Sequence, residues 1–386
     1  MKSVALIVLN NFKNDARVLK EAITLQNNGY SVKVIALHEQ NLKKMDIVSD
    51  VRVERISLLT KKLPKLFLVQ LLKYIELCIK TIYKHKNFDI IHCNDLAPLP
   101  IAVIIKIFIN RRVKIVYDAH EYQTERNGLK GIKKTLSTWV EKLLIKKVDH
   151  VITVSDGIAE EYKKKYKIDK PTIVYNCPFF FQQKQTDIFR KKFDIADNQT
   201  IYLYQGGLYK GRGLEISLEA FKQLDNENSK EVLVIIGFGE LEELVKRYAK
   251  KYSNIFYHDS VSPTDLLKYT SSADVGLCLI ENTSLSYYFS MPNKFFEYSM
   301  VGLPVISNNI FELNKLVNKY NNGWILDEFS SNSLVKLIKR VESVNNDKEF
   351  YEKKSNTQKI ARIYNWETQE KVLLEAYSTL YNKEVK

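Results

Sequence analysis

The sequence predicts an α/β protein of two domains, each built on a doubly wound parallel sheet with helices on both faces. The chain has 386 residues, of which 45% are hydrophobic and 27% charged. It is therefore longer than a domain with a single hydrophobic core usually is. Short apolar runs alternate with helical patterns, the rhythm of parallel strands joined by crossover helices. The rhythm restarts near residue 200, which indicates a second sheet.

Eleven apolar runs predict strands, and each is followed by a turn or a helical pattern. The predicted strands are residues 3–9, 31–37, 51–56, 89–92, 114–118, 150–154, 200–204, 231–236, 255–258, 275–279 and 304–307. We place the domain boundary near residue 180. The prediction is a domain over residues 1–180, a second over 181–365, and an amphipathic helical tail over 366–386.

The spacing of the cysteines and the lengths of the apolar runs argue against a secreted or membrane-spanning protein. The four cysteines are far apart in sequence and form no CxxC pair, which favours reduced structural thiols and a cytoplasmic location. The N-terminal apolar run ends at Asn10 and is too short for a signal peptide. The longest apolar stretch, Pro98 to Ile109, contains Lys106 and is shorter than a membrane span, so we expect a buried helix there.

A formal net charge of +14 points to anionic partners. Nucleotide phosphates and an anionic membrane surface are the candidates that fit. Nucleic acid fits least, because the lysines are scattered and no nucleic-acid-binding motif is present.

Two loops of the first half follow predicted strands and contain charged side chains. In open parallel sheets ligands bind beyond the carboxyl ends of the strands, so Asp15 and Arg17 are predicted to face an acceptor. The alternative is that Asp15 only caps a helix and Arg17 is solvated. In the second loop, His120 is a candidate to contact a sugar hydroxyl or phosphate, with Asp118 and Glu121 orienting it. The alternative for His120 is a structural role.

The second half contains the more specific patterns. A glycine-rich turn after the strand at 200–204 precedes a helix, and its glycines, cations and helix start suit a diphosphate. A shorter glycine turn follows the next strand and is weak evidence alone. The predicted donor-binding residues of these two turns are Gly206, Gly207, Lys210, Arg212, Gly237 and Gly239. The alternative is an ordinary turn with solvated cations.

A third pattern of the second half runs from Pro292 into a helix. Glu297 is predicted to accept hydrogen bonds from a ribose diol, while Asn293 and Lys294 face phosphates or the sugar. The alternative is that Glu297 is a solvated helix residue. No DxD sequence and no carboxylate spacing suited to Mg²⁺ occurs, so we expect a transfer reaction with neither metal nor cofactor, in which cations stabilise the leaving group.

Taken together, these stretches resemble the retaining glycosyltransferases of family 4, the bacterial group 1 enzymes with the GT-B fold. The resemblance extends over essentially the whole chain. It implies two Rossmann-like domains facing a cleft, with the N-terminal one binding the acceptor and the C-terminal one the nucleoside diphosphate-sugar. It also implies a ribose contact for Glu297, diphosphate contacts for Lys210 and Arg212, and a place for His120 beside the sugar.

The chain departs from the family at one position. The family has a second acidic residue eight positions before the ribose-binding one, and here that position is Phe289. Glu281 is a distant candidate to replace it. The match at Asn365-Trp366-Glu367 implies a last helix that returns to the N-terminal domain.

The resemblance implies a hexosyl-type transfer to a glycan or lipid-linked acceptor in bacterial surface polysaccharide synthesis. The segment from Lys61 to Lys86 is apolar and basic, typical of a helix on the inner face of the plasma membrane, although a core helix is the alternative. A nucleotide-sugar 2-epimerase of the same fold and a catalytically silent scaffold subunit are the rival functions.

Overall fold

The protein divides into two compact units. The computed structural model describes residues 1–64, 66–181, 184–226, 229–345 and 347–382. Unit 1 comprises Met1–Val174 and Glu370–Lys386, and unit 2 comprises Tyr175–Gln369. Lys65 of the predicted basic segment and residues 383–386 of the predicted tail lie outside the described residues.

Unit 1 is an eight-stranded sheet in the order β3-β4-β2-β1-β5-β6-β7-β8. All neighbouring strands are parallel except β3 and β4. Its strands are β1 (Ser3–Ile7), β2 (Ser31–Leu37), β3 (Met45–Val48), β4 (Val51–Ile56), β5 (Ile90–Asn94), β6 (Lys114–Ala119), β7 (His150–Thr153) and β8 (Thr172–Ile173). Its helices are α1 (Ala16–Asn27), α2 (Phe67–His85), α3 (Leu99–Phe108), α4 (Gly131–Leu144) and α5 (Asp156–Tyr166).

Unit 2 is a six-stranded parallel sheet in the order β11-β10-β9-β12-β13-β14, the classic doubly wound order. Its strands are β9 (Thr200–Gly207), β10 (Glu231–Phe238), β11 (Ile255–His258), β12 (Val275–Cys278), β13 (Val305–Asn308) and β14 (Gly323–Leu326). Its helices are α6 (Ile188–Phe193), α7 (Leu214–Leu224), α8 (Glu242–Lys251), α9 (Leu266–Thr270), α10 (Leu285–Tyr288), α11 (Asn293–Met300), α12 (Phe311–Tyr320), α13 (Ser331–Ser343), α14 (Lys348–Ile363) and the start of α15 (Trp366–Asn382).

In unit 2, the central strands are buried on both faces and separate two apolar clusters. Leu203 of β9 belongs to one cluster, and its neighbours Tyr202 and Tyr204 belong to the other. This alternation follows from the two-residue period of a strand, and it explains why the strands are near-continuous apolar runs in the sequence. The sequence therefore predicted these strands well.

Three strands were not predicted. β3 pairs with β4 through a tight hairpin in which Ser49 and Asp50 both adopt left-handed backbone angles, with φ of 48° and 65°. Such turns favour Asn-Gly or Asp-Gly, and the chain has neither here. β8 has two residues and β14 has four, and both are edge strands of their sheets.

Helix α3 is buried on one face only, which corrects the expectation of a buried helix between Pro98 and Ile109. Phe108 is 78% exposed, whereas Ile101 and Ile105 are fully buried. Among the described residues, no helix is long and apolar enough to cross a bilayer. None of the four cysteines forms a disulfide among the described residues.

A buried polar cluster joins α4 and α5 to the sheet of unit 1. The hydroxyls of Tyr117 and Tyr162 donate to the carboxylate of Glu141 over 2.5 and 2.6 Å, and Tyr166 donates to its other oxygen. Glu141 is fully buried. Burying a carboxylate without hydrogen-bond donors costs free energy, so the three phenol hydroxyls are needed to stabilise Glu141 in the core.

Candidate active site

Both sheets present loops at a topological switch point. In unit 2 the strand order reverses between β9 and β12, and in unit 1 it reverses between β1 and β5. Chains leaving adjacent strands diverge there, which opens a crevice at the carboxyl ends of the strands. Asp15 follows β1 and Lys210 follows β9 at these two points, whereas His120 follows β6 and Gly239 follows β10, each one strand further from the switch point.

The two glycine turns of unit 2 pack against each other. β9 and β10 pair in register as far as Gly207 and Phe238, beyond the ends predicted for them. A Cβ atom at Gly237 would overlap the carbonyl oxygen of Gly206, and one at Gly239 would lie 2.5 Å from the carbonyl oxygen of Leu208. Glycine is therefore required for this close approach. The glycines of the second turn are therefore required by its contact with the first turn, which is not the case in an ordinary βα turn.

The cations after β9 differ in their surroundings. Lys210 is exposed, and its backbone N–H donates to Glu240 over 3.2 Å. Arg212 is half-buried, and its guanidinium lies 4.9 Å from the ring centre of Tyr287. Stacking on an aromatic ring fixes the plane of a guanidinium. Arg212 therefore has a defined orientation, while the Lys210 side chain is open to solvent.

Helix α11 is anchored at the switch point by Tyr298. Its buried hydroxyl donates to the carbonyl oxygen of Leu203 in β9 over 3.0 Å and accepts the N–H of Gln205 over 3.3 Å. Its ring lies against Gly276 of β12, where a Cβ atom would overlap it. The first turns of the helix are thus held between β9 and β12.

The anchored helix orients Glu297. Gln205 donates from Nε2 to Glu297 over 2.5 Å and accepts from the Thr270 hydroxyl over 2.8 Å. Gln205 is buried, whereas Glu297 is only partly buried. A carboxylate held in this way at the edge of a crevice suits bonding to vicinal hydroxyls. Asn293, the first residue of α11, is exposed.

Lys294 places a buried ammonium in the same region. Its Nζ atom has no hydrogen-bond partner and lies 4.0 Å above the ring centre of Tyr204. Burial, aided by the positive charge of Arg212 and opposed by Cys278 and Glu297, lowers the pKa of Lys294 to about 8. A buried donor without an acceptor costs free energy in the unliganded fold, and an anion at this position would remove that cost.

Phe289 packs in an aromatic cluster. Its ring centre lies 4.9 Å from that of Tyr288 and 5.4 Å from that of Phe311. Glu281 is exposed, and a Cβ atom at Gly211 would lie 3.7 Å from its carboxylate. Glu281 is therefore adjacent to the loop that contains Lys210 and Arg212, despite its distance in sequence from Phe289.

The predicted site residues of unit 1 are divided between a buried cluster and the surface. Arg17 donates to both carboxylate oxygens of Asp118 over 2.8–3.0 Å and to the carbonyl oxygen of Val174 over 2.8 Å. Its Nε atom is also 3.0 Å from Glu21. Arg17 is 4% exposed and Asp118 is fully buried. Neither side chain has enough accessible surface to contact an acceptor. The expectation that they contact it directly is therefore corrected, and the pair instead positions its neighbours.

The buried cluster sets the charge of His120. Burial opposes ionisation of Asp118, but Arg17 outweighs it and holds the pKa of Asp118 well below its usual range. Burial likewise opposes the charge on His120, yet Asp118, 3.3 Å from its Nε2 atom, raises the pKa of His120 to about 9. His120 is therefore protonated at neutral pH, and 22% of its side chain is exposed.

Asp15 and Glu121 lie nearer the surface. Asp15 caps α1 by accepting the N–H of Val18 and also accepts from Asn10, so the capping alternative is correct for one of its oxygens. Asp15 and His120 nevertheless line one cavity of about 830 Å³ within unit 1. Glu121 forms an ion pair of 2.9 Å with Arg126.

Comparison with known families decides the identity of this arrangement. The family profile described as "Glycosyl transferases group 1" matches residues 185–362, and that of "Glycosyltransferase Family 4" matches residues 17–177. The chain belongs to these glycosyltransferases. The family and the GT-B fold predicted from the sequence are confirmed.

Individual relatives of this glycosyltransferase are distant. An uncharacterized 41.2 kDa protein in the cps region of Klebsiella pneumoniae is 23% identical over 278 residues, which are 67% of this chain and 71% of that protein. Two glycosyltransferases of Methanocaldococcus jannaschii match over 62% of their own length, less than two thirds.

Solved structures match over nearly the full chain. Sucrose-phosphate synthase from Thermosynechococcus elongatus is 17% identical with a TM-score of 0.79, covering 99% of this chain and 100% of that one. Anabaena HepE in complex with UDP-glucose is 14% identical with a TM-score of 0.74, covering 98% and 100%. At these identities the likeness establishes the fold of the glycosyltransferase.

One group of side chains in the described part of the glycosyltransferase could hold a metal ion. Glu21, Asp118 and His120 each offer an atom within 4.8 Å of the others. Arg17 already lies within 3.0 Å of both carboxylates. Burial, ahead of the attraction of Arg17, raises the pKa of Glu21 well above its usual range, and His120 is itself protonated at neutral pH, so neither of these two groups is a good cation ligand. This donor set fits a buried ion pair better than a divalent cation.

Sequence reasoning missed several residues of the glycosyltransferase that shape these sites. Asp95 accepts the backbone N–H of His120 over 3.1 Å and the side chain of Gln123 over 2.5 Å, and it lines the same cavity as His120. It follows β5 directly, so the strand-end argument used for Asp118 would have found it. For Gln205, the signal was its position as the last residue before the glycine pair.

Proposed function

We propose that this protein is a retaining hexosyltransferase that uses a nucleoside diphosphate-sugar and transfers the sugar to a glycan or lipid-linked acceptor in bacterial surface polysaccharide synthesis. The observation that supports it most is the buried, unpartnered Lys294 ammonium in unit 2, beside Arg212 and Glu297. Glycine turns follow β9 and β10 of the same sheet, and turns of this kind bind diphosphates at the carboxyl ends of parallel strands. The UDP-glucose bound by Anabaena HepE is a donor of this class.

In the proposed reaction, the bond between the anomeric carbon and the β-phosphate oxygen breaks as the acceptor hydroxyl oxygen bonds to that carbon. The nucleoside diphosphate leaves, and the acceptor proton moves to the departing phosphate. Lys210, Arg212 and Lys294 would stabilise the charge that develops on the leaving group. Retention of configuration is proposed from the family resemblance.

The proposed donor contacts divide by chemistry. Glu297, oriented by Gln205, would accept hydrogen bonds from the ribose hydroxyls. Gly206, Gly207, Gly237 and Gly239 would permit close approach of the backbone to the diphosphate. Asn293 would contact the sugar or phosphate from the start of α11.

His120 would act beside the acceptor in unit 1. Because it is protonated and borders a cavity, it can donate a hydrogen bond to a sugar hydroxyl or phosphate oxygen. Asp118, itself kept ionised by Arg17, would hold it in that state. Asp15 and Glu121 are proposed to lie on the acceptor side.

The donor site is tested by nucleotide binding and turnover of Arg212→Ala and Glu297→Ala. Losing a charged hydrogen-bond partner costs about 1.5–3 kcal/mol, so affinity for the matching nucleoside diphosphate should fall about 10- to 100-fold. Matched controls are Arg340→Ala and Glu352→Ala, which change exposed residues of unit 2. If both site variants kept wild-type affinity and rate, the donor site would be wrongly placed.

We also propose that transfer requires no metal, because cations of the chain face the leaving group. The rate with excess EDTA should equal the rate without it, and added Mg²⁺ should not raise it. The epimerase alternative predicts conversion of the donor without an acceptor. The scaffold alternative, motivated by Phe289, predicts nucleotide binding with neither hydrolysis nor transfer.

A further inference from the structure

The cavity beside His120 has two chemically different ends. Asp15, Asp95 and His120 line its polar end, near the carboxyl ends of β1, β5 and β6. Leu71 of α2 and Leu136 of α4 line another part of its wall. The volume of about 830 Å³ lies in the upper part of the range of small-molecule pockets, roughly 300–1,000 Å³, so the cavity is large enough for a drug-sized ligand.

The apolar wall of the cavity continues onto the outside of unit 1. Leu71 is 49% exposed and Leu136 is 51% exposed, so both line the cavity and the surface at once. A chain of methylene groups could therefore leave the cavity along Leu71 and Leu136.

The outer faces of three helices form one apolar surface around that exit. Helix α3 contacts α2 on one side and α4 on the other. Only Leu77, Thr81 and His85 of α2 are buried, so the alternative of a core helix fails for this segment. Exposed apolar side chains of the three helices include Leu68 (70%), Leu72 (53%), Phe108 (78%), Ile132 (86%) and Trp139 (61%).

The segments that contain these three helices are also strongly basic in sequence. Residues 59–86, 97–112 and 129–147 contain sixteen Lys and Arg against two Asp and Glu. Their excess of fourteen positive charges equals the formal charge of the whole chain, so the rest of the sequence is balanced. Of the two acidic residues, Glu76 pairs with Lys80 and Glu141 is buried. These two acidic residues therefore leave most of the positive charge of these segments uncompensated.

Apolar side chains surrounded by lysines are the composition of a surface that lies in an anionic lipid interface. We propose that the outer faces of α2, α3 and α4 rest on an anionic bilayer, and that the acceptor is a lipid whose hydrocarbon chain leaves the His120 cavity between Leu71 and Leu136. This proposal rests on the proposed function and names the class of its acceptor. Charge complementarity selects the bilayer as the occupant of this face.

Flotation with vesicles tests the surface. The full-length protein should float with vesicles of 30% phosphatidylglycerol in phosphatidylcholine, and not with phosphatidylcholine alone. The double variant Leu68→Gln, Trp139→Gln should reduce the floating fraction at least tenfold, whereas Tyr351→Gln, equally exposed on unit 2, should not. Thermal unfolding checks that each variant is folded. Wild-type protein that stays at the bottom with both vesicle types overturns the proposal.

Acceptor kinetics test the exit path. Monosaccharides on an undecyl diphosphate should be at least tenfold better acceptors by kcat/KM than their methyl glycosides. Leu136→Gln should raise the KM of the undecyl acceptor at least fivefold, whereas Tyr351→Gln, on unit 2, should not. Equal kcat/KM for both acceptor types overturns the proposal. The proposal is also overturned if the wild-type protein does not float with vesicles and instead forms a dimer that the Leu68 and Trp139 substitutions dissociate.

The two proposals fail in distinguishable ways. Failure of the proposed function would appear as absence of nucleotide binding and of donor hydrolysis, whatever the acceptor. Failure of the lipid proposal would leave both intact.

Discussion

Replacing Lys294 with methionine should stabilise the unliganded protein and weaken nucleotide binding. The ammonium is buried without a hydrogen-bond partner, so the free protein bears its desolvation cost. Methionine keeps the length and removes the charge. A residue whose loss raises stability and lowers affinity is retained for the ligand, because stability alone would select against it.

The size of the effect follows from the pKa of Lys294, which burial lowers from 10.5 to about 8. Each pKa unit corresponds to about 1.4 kcal/mol, so keeping the amine protonated in the fold costs about 3 kcal/mol below pH 8. Methionine also loses the cation–π contact with Tyr204, which reduces this gain in stability by about 1 kcal/mol. The net gain of about 2 kcal/mol should raise the midpoint of thermal unfolding by about 4–8 °C for a unit of this size.

The pH dependence has a defined sign. Between pH 8 and 10.5 the unfolded chain holds a proton on Lys294 that the folded chain has released, so this group makes wild-type stability rise with pH across that window. Lys294→Met should lack that rise. Affinity for a diphosphate should be constant below pH 8 and fall above it in the wild type, because the charged amine is the form that binds.

Calorimetric scans and titrations with UDP, GDP and ADP measure both quantities. Affinity for the matching nucleotide should fall about 10- to 100-fold. Lys353→Met is the control, since this lysine is also buried in unit 2 but donates to Asn321 over 2.7 Å. The control should destabilise the protein and leave nucleotide binding unchanged. The reasoning is refuted if Lys294→Met lowers stability as Lys353→Met does, or leaves affinity unaltered.

Three further predictions concern other parts of the fold. Asp118 raises the pKa of His120 from 6.5 to about 9, so the ion pair stabilises the fold fully below pH 6.5. That contribution, up to about 3 kcal/mol, is lost as the pH rises through 9. Urea unfolding at pH 6 and 9.5 should show this loss in the wild type and not in His120→Gln. Gly237→Ala should separate β10 from β9 and weaken nucleotide binding more than tenfold in titrations, whereas Gly29→Ala, a loop position in unit 1 with open space around it, should leave binding at the wild-type level. Glu141→Leu leaves three buried phenols without their acceptor and should lower the free energy of unfolding by about 3 kcal/mol, a loss that an unchanged urea midpoint would contradict.

The sequence predicted the sheets because their strands are apolar on both faces. A strand such as β9 is recognisable without its partners, since helices cover both sides. β3 was not recognisable, because Met45 is 59% exposed and Ile47 is 69% exposed on an edge hairpin. Its pairing depends on β4 and on a turn whose residues are unusual for that geometry.

The candidate site was predictable in position but not in side-chain direction. The rule that ligands gather beyond strand ends selected Asp118 and His120 alike, although Asp118 is fully buried and His120 borders a cavity. Likewise, the sequence indicated that Lys294 is near the donor. Its burial above Tyr204 depends on the packing of α11 against β9 and β12, which no local pattern reports.

Helix α15 has a consequence for how the protein is made. From Glu370 onward its residues belong to unit 1, and the hydroxyl of Tyr377 lies 2.7 Å from Nδ1 of His92 in the centre of that unit. The first-synthesised domain thus lacks a piece of its interior until α15 has been made, whereas all residues of unit 2 precede Glu370 in the chain. The segment that forms the second domain is therefore complete before the residues of the first domain are.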